Sequence, residues 1–109
     1  DIAAPEGTPV QSVKAGVVVK SEYSESYGNY IMISHGDGTS TLYAHLSKRL
    51  VNVNDKVLKG QVIGRVGSTG RSTGNHLHFT VYKGGELDDP VKYLDKTFTK
   101  TLDKNNILK

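Results

Sequence analysis

Polar and apolar residues alternate without a break through His76-Leu77-His78-Phe79-Thr80-Val81-Tyr82. Successive side chains of a strand point to opposite faces, so Leu77, Phe79 and Val81 form the side expected against a core and both histidines share the other. Neutral imidazole is a common metal ligand and titrates near neutral pH. The pair therefore fits a metal site, an acid/base pair or an ordinary polar sheet face, and the spacing alone leaves all three open.

The same reading of Ser40-Thr41-Leu42-Tyr43-Ala44-His45-Leu46 puts Leu42, Ala44 and Leu46 on the core side and Thr41, Tyr43 and His45 on the opposite side. If the two strands share a sheet, His45, His76 and His78 meet over one surface. His35 sorts differently. It falls in register with Ile31 and Ile33 and is followed by Gly36-Asp37-Gly38, a hairpin signal, so it is expected to be structural.

The remaining chain is written mostly as strands and turns. Strands are expected at Pro9 to Val13, Gly16 to Lys20, Asn29 to Ser34, Thr39 to Leu46, Lys56 to Leu58, Gln61 to Val66 and His76 to Lys83. Turns fall at Gly7, Gly28, Gly36-Asp37-Gly38, Gly60 and Gly84-Gly85. This is an all-β chain, a single antiparallel sheet or sandwich. One short C-terminal helix is expected over Asp88 to Leu94, with Asp89 as its N-cap and Pro90 as its first residue. A tail rich in Lys, Thr and Asn follows from Thr97 to Lys109.

With 109 residues there is length for one compact domain. The start at Asp1, inside a readable motif, suggests a piece of a longer protein. No apolar run approaches a bilayer's thickness, so no membrane insertion is expected. Cysteine is absent, which excludes disulfides and thiol nucleophiles and leaves His, Asp and Glu as metal ligands. The formal charge of +3 is spread over scattered lysines with no basic block among aromatics, so nucleic-acid binding is not expected. The glycine-rich loop from Gly67 lacks the lysine of a phosphate-binding loop and leads into a strand, not a helix.

Taken in order, Asp1-Ile2-Ala3-Ala4-Pro5-Glu6-Gly7-Thr8-Pro9-Val10, Tyr43-Ala44-His45-Leu46-Ser47, Lys59-Gly60-Gln61-Val62-Ile63-Gly64 and Gly67-Ser68-Thr69-Gly70-Arg71-Ser72-Thr73-Gly74, leading into His76-Leu77-His78-Phe79, resemble the lysostaphin and LytM-type zinc endopeptidases of family M23. The resemblance runs to about Leu94, which implies a peptidase domain over residues 1–96 and a tail over 97–109. It implies a lysostaphin-like antiparallel domain, of the duplicated-hybrid type, whose groove holds one Zn2+ and cuts peptide bonds in bacterial peptidoglycan. By the same resemblance Asp1 and His78 match metal ligands, and His45 and His76 match catalytic histidines that do not bind the metal. The family's further histidine ligand stands four residues before the aspartate, ahead of the first residue of this chain. Tyr43 would either add a hydrogen bond beside the histidines or be a buried tyrosine held by packing, and Ser72, Thr73 and Asn75 would face the peptide from the Gly67 loop.

Three functions stay open at this point. A zinc endopeptidase acting outside the cytoplasm, in the periplasm or cell wall or on a virion, accounts for every histidine on the proposed surface. A degenerate M23-like domain could instead bind peptidoglycan or a protein partner without cutting it. A histidine phosphocarrier is suggested by Val53-Asn54-Asp55-Lys56-Val57-Leu58-Lys59-Gly60-Gln61, which resembles a turn in such carriers and in biotinyl-type domains.

Overall fold

The computed structural model describes residues 2–70, 74 and 76–88, and every regular element among them is a strand. In chain order these are β1 (Ile2–Ala3), β2 (Pro9–Gln11), β3 (Gly16–Ser24), β4 (Gly28–Ser34), β5 (Thr39–Arg49), β6 (Lys56–Val57), β7 (Val62–Val66), β8 (His76–Lys83) and β9 (Glu86–Asp88). All pairings between them are antiparallel. The β8 bounds match the sequence reading, whereas β1 and β9 are too short to announce themselves by periodicity. Gly84 and Gly85 both have positive φ, at 59° and 84°, so they close the β8–β9 hairpin with the turn that such a pair favours. Asp88, the residue before the expected N-cap Asp89, pairs with Val81 across that hairpin. The rest of the expected helix and the tail lie outside the described residues.

The long strand β5 organises the fold. Along one edge it pairs with β4; along the other, Thr39 to Ala44 pair with β8 and Leu46 to Arg49 pair with β7. His45 falls between these two stretches and has no partner residue in either ladder. Beyond β4 the sheet continues through β3 to β6, and β2 pairs with β7. The resulting curl encloses a core of Val18, Ile31, Ile33, Tyr43, Leu46, Ile63, Val66, Leu77, Phe79 and Val81. The other face carries a second apolar group, Tyr30, Leu42 and Ala44, with Tyr27, Met32 and Tyr82 against it.

These two groups overturn one expectation about β5. Both of its faces are buried, so the alternation carried no contrast, and Tyr43 and Thr41 turn to the core while Leu42 and Ala44 lie on the face shared with His78. Tyr43 pairs with Phe79 with ring centroids 5.3 Å apart, and its hydroxyl accepts from Val13 N at 3.1 Å and lies 2.9 Å from Thr41 Oγ1. A buried phenol with two polar partners is well satisfied in a core. Tyr43 is therefore a core residue on the side away from the histidines, as a tyrosine held by packing would be.

His35 is held as a structural residue would be. Its Nδ1 donates to Ala15 O at 2.9 Å, so the neutral ring presents Nε2 as an acceptor to the Thr41 hydroxyl, also at 2.9 Å. Burial lowers its pKa, with Lys14 adding to that effect and the bond to Ala15 opposing it. A depressed pKa means that the native state binds fewer protons than the unfolded chain, so this stabilisation is present above the ordinary value of 6.5 and is lost as pH falls through the folded value. His35→Gln is expected to cost about 1 kcal/mol of stability at neutral pH and to leave turnover within a few-fold. Urea denaturation above and below the ordinary histidine pKa should show the gap between wild type and variant narrowing in acid; collapse of turnover in a folded variant would give His35 another role.

Candidate functional site

The groove lies on the face of β5 and β8 opposite the core. Ala44 is registered against His78, and the alternation of β8 carries His76, His78, Thr80 and Tyr82 to this side. His45 reaches the same place by a different route. Tyr43 points to the core, Ala44 to the groove and Leu46 to the core again, so a regular strand would have buried His45 with Tyr43. Instead His45 adopts φ 61°, a left-handed conformation that costs a non-glycine residue about 1–2 kcal/mol. The kink swings its ring to within 5.1 Å of His76 and 5.9 Å of His78, centroid to centroid. Strain of this kind concentrates where surrounding contacts hold a residue for function.

Each ring is oriented by a bond of its own. His45 Nδ1 donates to Thr69 O at 2.7 Å, and His76 Nδ1 donates to Gly74 O at 2.9 Å. In the neutral rings Nε2 is then the nitrogen that carries the lone pair. His78 is held through the other ring nitrogen, with Nε2 lying 2.9 Å from Thr80 Oγ1. The Tyr27 ring stacks on His78 at 5.9 Å and 28°. Burial lowers the pKa of both His45 and His78, and neighbouring histidines push the same way: His76 and His78 on the first, His76 on the second. The neutral imidazole, the form that accepts a proton or binds a metal, is thereby favoured at neutral pH.

The two loops beside His45 are interlocked. Gly28, at the tip of the β3–β4 hairpin, has φ 64°, and a Cβ there would meet the Thr69 backbone and hydroxyl. Gly70 has φ 74°, and a Cβ there would meet Gly28 N and, at 2.7 Å, the Tyr27 carbonyl carbon. Gly67 leaves room for Ser47, whose backbone N would lie 2.5 Å from an added Cβ. Close backbone approach thus accounts for three glycines that the sequence marked only as turn or loop residues. Tyr27 and Thr69 had no signal of their own; the one available hint was their position next to these glycines.

The structure therefore brings His45, His76 and His78 together and leaves Tyr43 out. Asp1, Ser72, Thr73 and Asn75 lie outside the described residues. Among the described residues no three His, Cys, Asp or Glu side chains are arranged to hold a metal ion. A metal ion at this face would need a ligand beyond the described residues, as the expected role of Asp1 requires. A polar cavity of about 290 Å³ lined by Ser21, Asn29, Arg49 and Asn52 contains none of the histidines.

The curled all-antiparallel sheet thus gathers three oriented histidines on one face of β5 and β8. The family model for peptidase family M23 matches residues 1–90. Peptidoglycan DD-endopeptidase ShyA of Vibrio cholerae is 48% identical over 92 residues, which cover 84% of this chain and 21% of that protein. The catalytic domain of the antimicrobial peptidase lysostaphin from Staphylococcus simulans matches with a TM-score of 0.77 at 38% identity, covering 84% of this chain and 73% of that one. A zinc-containing peptidase from Vibrio cholerae matches with a TM-score of 0.77 at 41% identity, covering 79% and 26%. The chain belongs to peptidase family M23. It spans about a fifth of the length of the curated relatives it matches.

Proposed function

We propose that this domain is the catalytic part of a zinc endopeptidase that hydrolyses peptide bonds in the cross-links or stem peptides of bacterial peptidoglycan, outside the cytoplasm. The observation that carries the reading is the convergence of three histidines, one of them strained into place, with His45 and His76 each donating through Nδ1 to a backbone carbonyl. The similarity to ShyA and to a zinc-containing peptidase supports the choice of substrate and metal.

In this reading His78 and Asp1 would hold the zinc. When bound, the metal supplies Lewis-acid activation at neutral pH. His45 and His76 carry out the proton work through Nε2: one accepts the proton of the attacking water, and a ring that has gained a proton stabilises the developing oxyanion or returns the proton to the leaving amine. The Nδ1 bonds to Thr69 O and Gly74 O keep both rings in the tautomer this requires. Peptide contact is assigned to Ser72, Thr73 and Asn75, which connect Gly70 to His76 along the chain. The peptidase domain is taken to end near residue 96.

The test is digestion of purified peptidoglycan by the full-length protein, with products identified by mass spectrometry, before and after zinc chelation. Conversion of cross-linked muropeptides to monomers, lost on chelation and restored by zinc, is the expected result. Cleavage of glycan strands, cleavage indifferent to chelation, or retention on peptidoglycan without any cleavage would each overturn it; the last would favour a binding module.

A further inference from the structure

We propose that Thr69 is a positioning residue for His45, acting through both its carbonyl and its hydroxyl. This inference rests on the catalytic reading of His45 given above.

The left-handed turn at His45 breaks the ladder on both edges of β5 and strands backbone groups that a regular strand would have paired. Those groups are gathered up locally. His45 N donates to Tyr27 O at 2.7 Å. Leu46 O, the next acceptor along, takes the Thr69 hydroxyl at 2.6 Å and Asn29 Nδ2 at 3.2 Å. The same hydroxyl accepts from Asn29 N at 3.1 Å, so one oxygen ties β4, β5 and the β7–β8 loop together at the kink. With the loop anchored there, Thr69 O stands 2.7 Å from His45 Nδ1 and fixes its proton on that nitrogen. Both halves of the threonine thus serve one outcome: a left-handed His45 whose Nε2 carries the lone pair.

Valine matches threonine in shape and lacks the hydroxyl, while serine keeps it. For Thr69→Val the expected result is a fall in kcat of about 10-fold or more, the scale on which supporting shells act, with KM within about two-fold. Thr69→Ser should restore most of the rate. The second readout is ring 15N NMR of the metal-free protein: wild type and Thr69→Ser should show His45 protonated on Nδ1, and Thr69→Val a mixture of tautomers. Thr69→Ala, which has no γ branch, gives the same comparison if valine prevents folding. Wild-type kcat and an unchanged tautomer in the valine and alanine variants would overturn the proposal, as would a serine variant no better than valine. If His45→Ala keeps full turnover, the catalytic reading fails instead, and the tautomer measurement still reports whether Thr69 positions the ring.

Discussion

His45→Ala is expected to lower kcat on peptidoglycan by about two or more orders of magnitude while zinc remains bound in the full-length protein, because the substitution removes a proton-transfer group without removing a ligand. His76→Ala should behave alike, and His78→Ala should lose the metal. The backbone at position 45 sharpens the comparison. Alanine inherits the strain of φ 61°, whereas glycine does not. His45→Gly should therefore be about 1 kcal/mol more stable than His45→Ala and equally inactive. Zinc content, thermal unfolding and turnover measured on the four variants separate the roles. Zinc lost from His45→Ala and kept in His78→Ala would exchange the assignments, and full turnover in His45→Ala would remove the histidine from the mechanism.

That experiment also bears on what a sequence can and cannot disclose about such a groove. β8 was readable because one of its faces packs on the core and the other lines the groove, so alternation alone put His76 and His78 together. β5 gave the right neighbour for the wrong reason. Its two faces are both apolar in effect, Leu42 and Ala44 against the tyrosines and Tyr43 and Leu46 in the core, and a period-2 pattern has no contrast to report there. His45 nevertheless joins the other histidines because one residue leaves the β region, an event that depends on partners at Tyr27 and Thr69 far away in the chain. Periodicity cannot express a single left-handed residue held by tertiary contacts. The family motifs conveyed its presence in the groove without the geometry that puts it there, and the same motifs drew Tyr43 in with it.

The interlock that holds this kink predicts a large effect at a residue with no side chain. Gly70 has φ 74°, and a Cβ at this position would press on Gly28 N and the Tyr27 carbonyl carbon. Backbone atoms cannot swing aside as a flexible side chain can, so Gly70→Ala combines left-handed strain of about 1–2 kcal/mol with overpacking that costs about 1–3 kcal/mol. The damage should not stay local. Tyr27 O receives His45 N and Thr69 O receives His45 Nδ1, so parting the two loops withdraws both supports from the His45 ring. The control is Gly36→Ala: Gly36 has nearly the same φ, 79°, in the β4–β5 turn, and a Cβ there meets nothing within 4 Å. It should lose only the strain energy and keep wild-type kcat. Gly70→Ala should lose about 3 kcal/mol or more in urea denaturation and at least ten-fold in kcat under conditions where it is folded. Equal losses in the two variants would mean that the conformation of Gly70, and not its contact with the β3–β4 hairpin, is what the fold requires, and the left-handed His45 would then have to be held by its own hydrogen bonds alone.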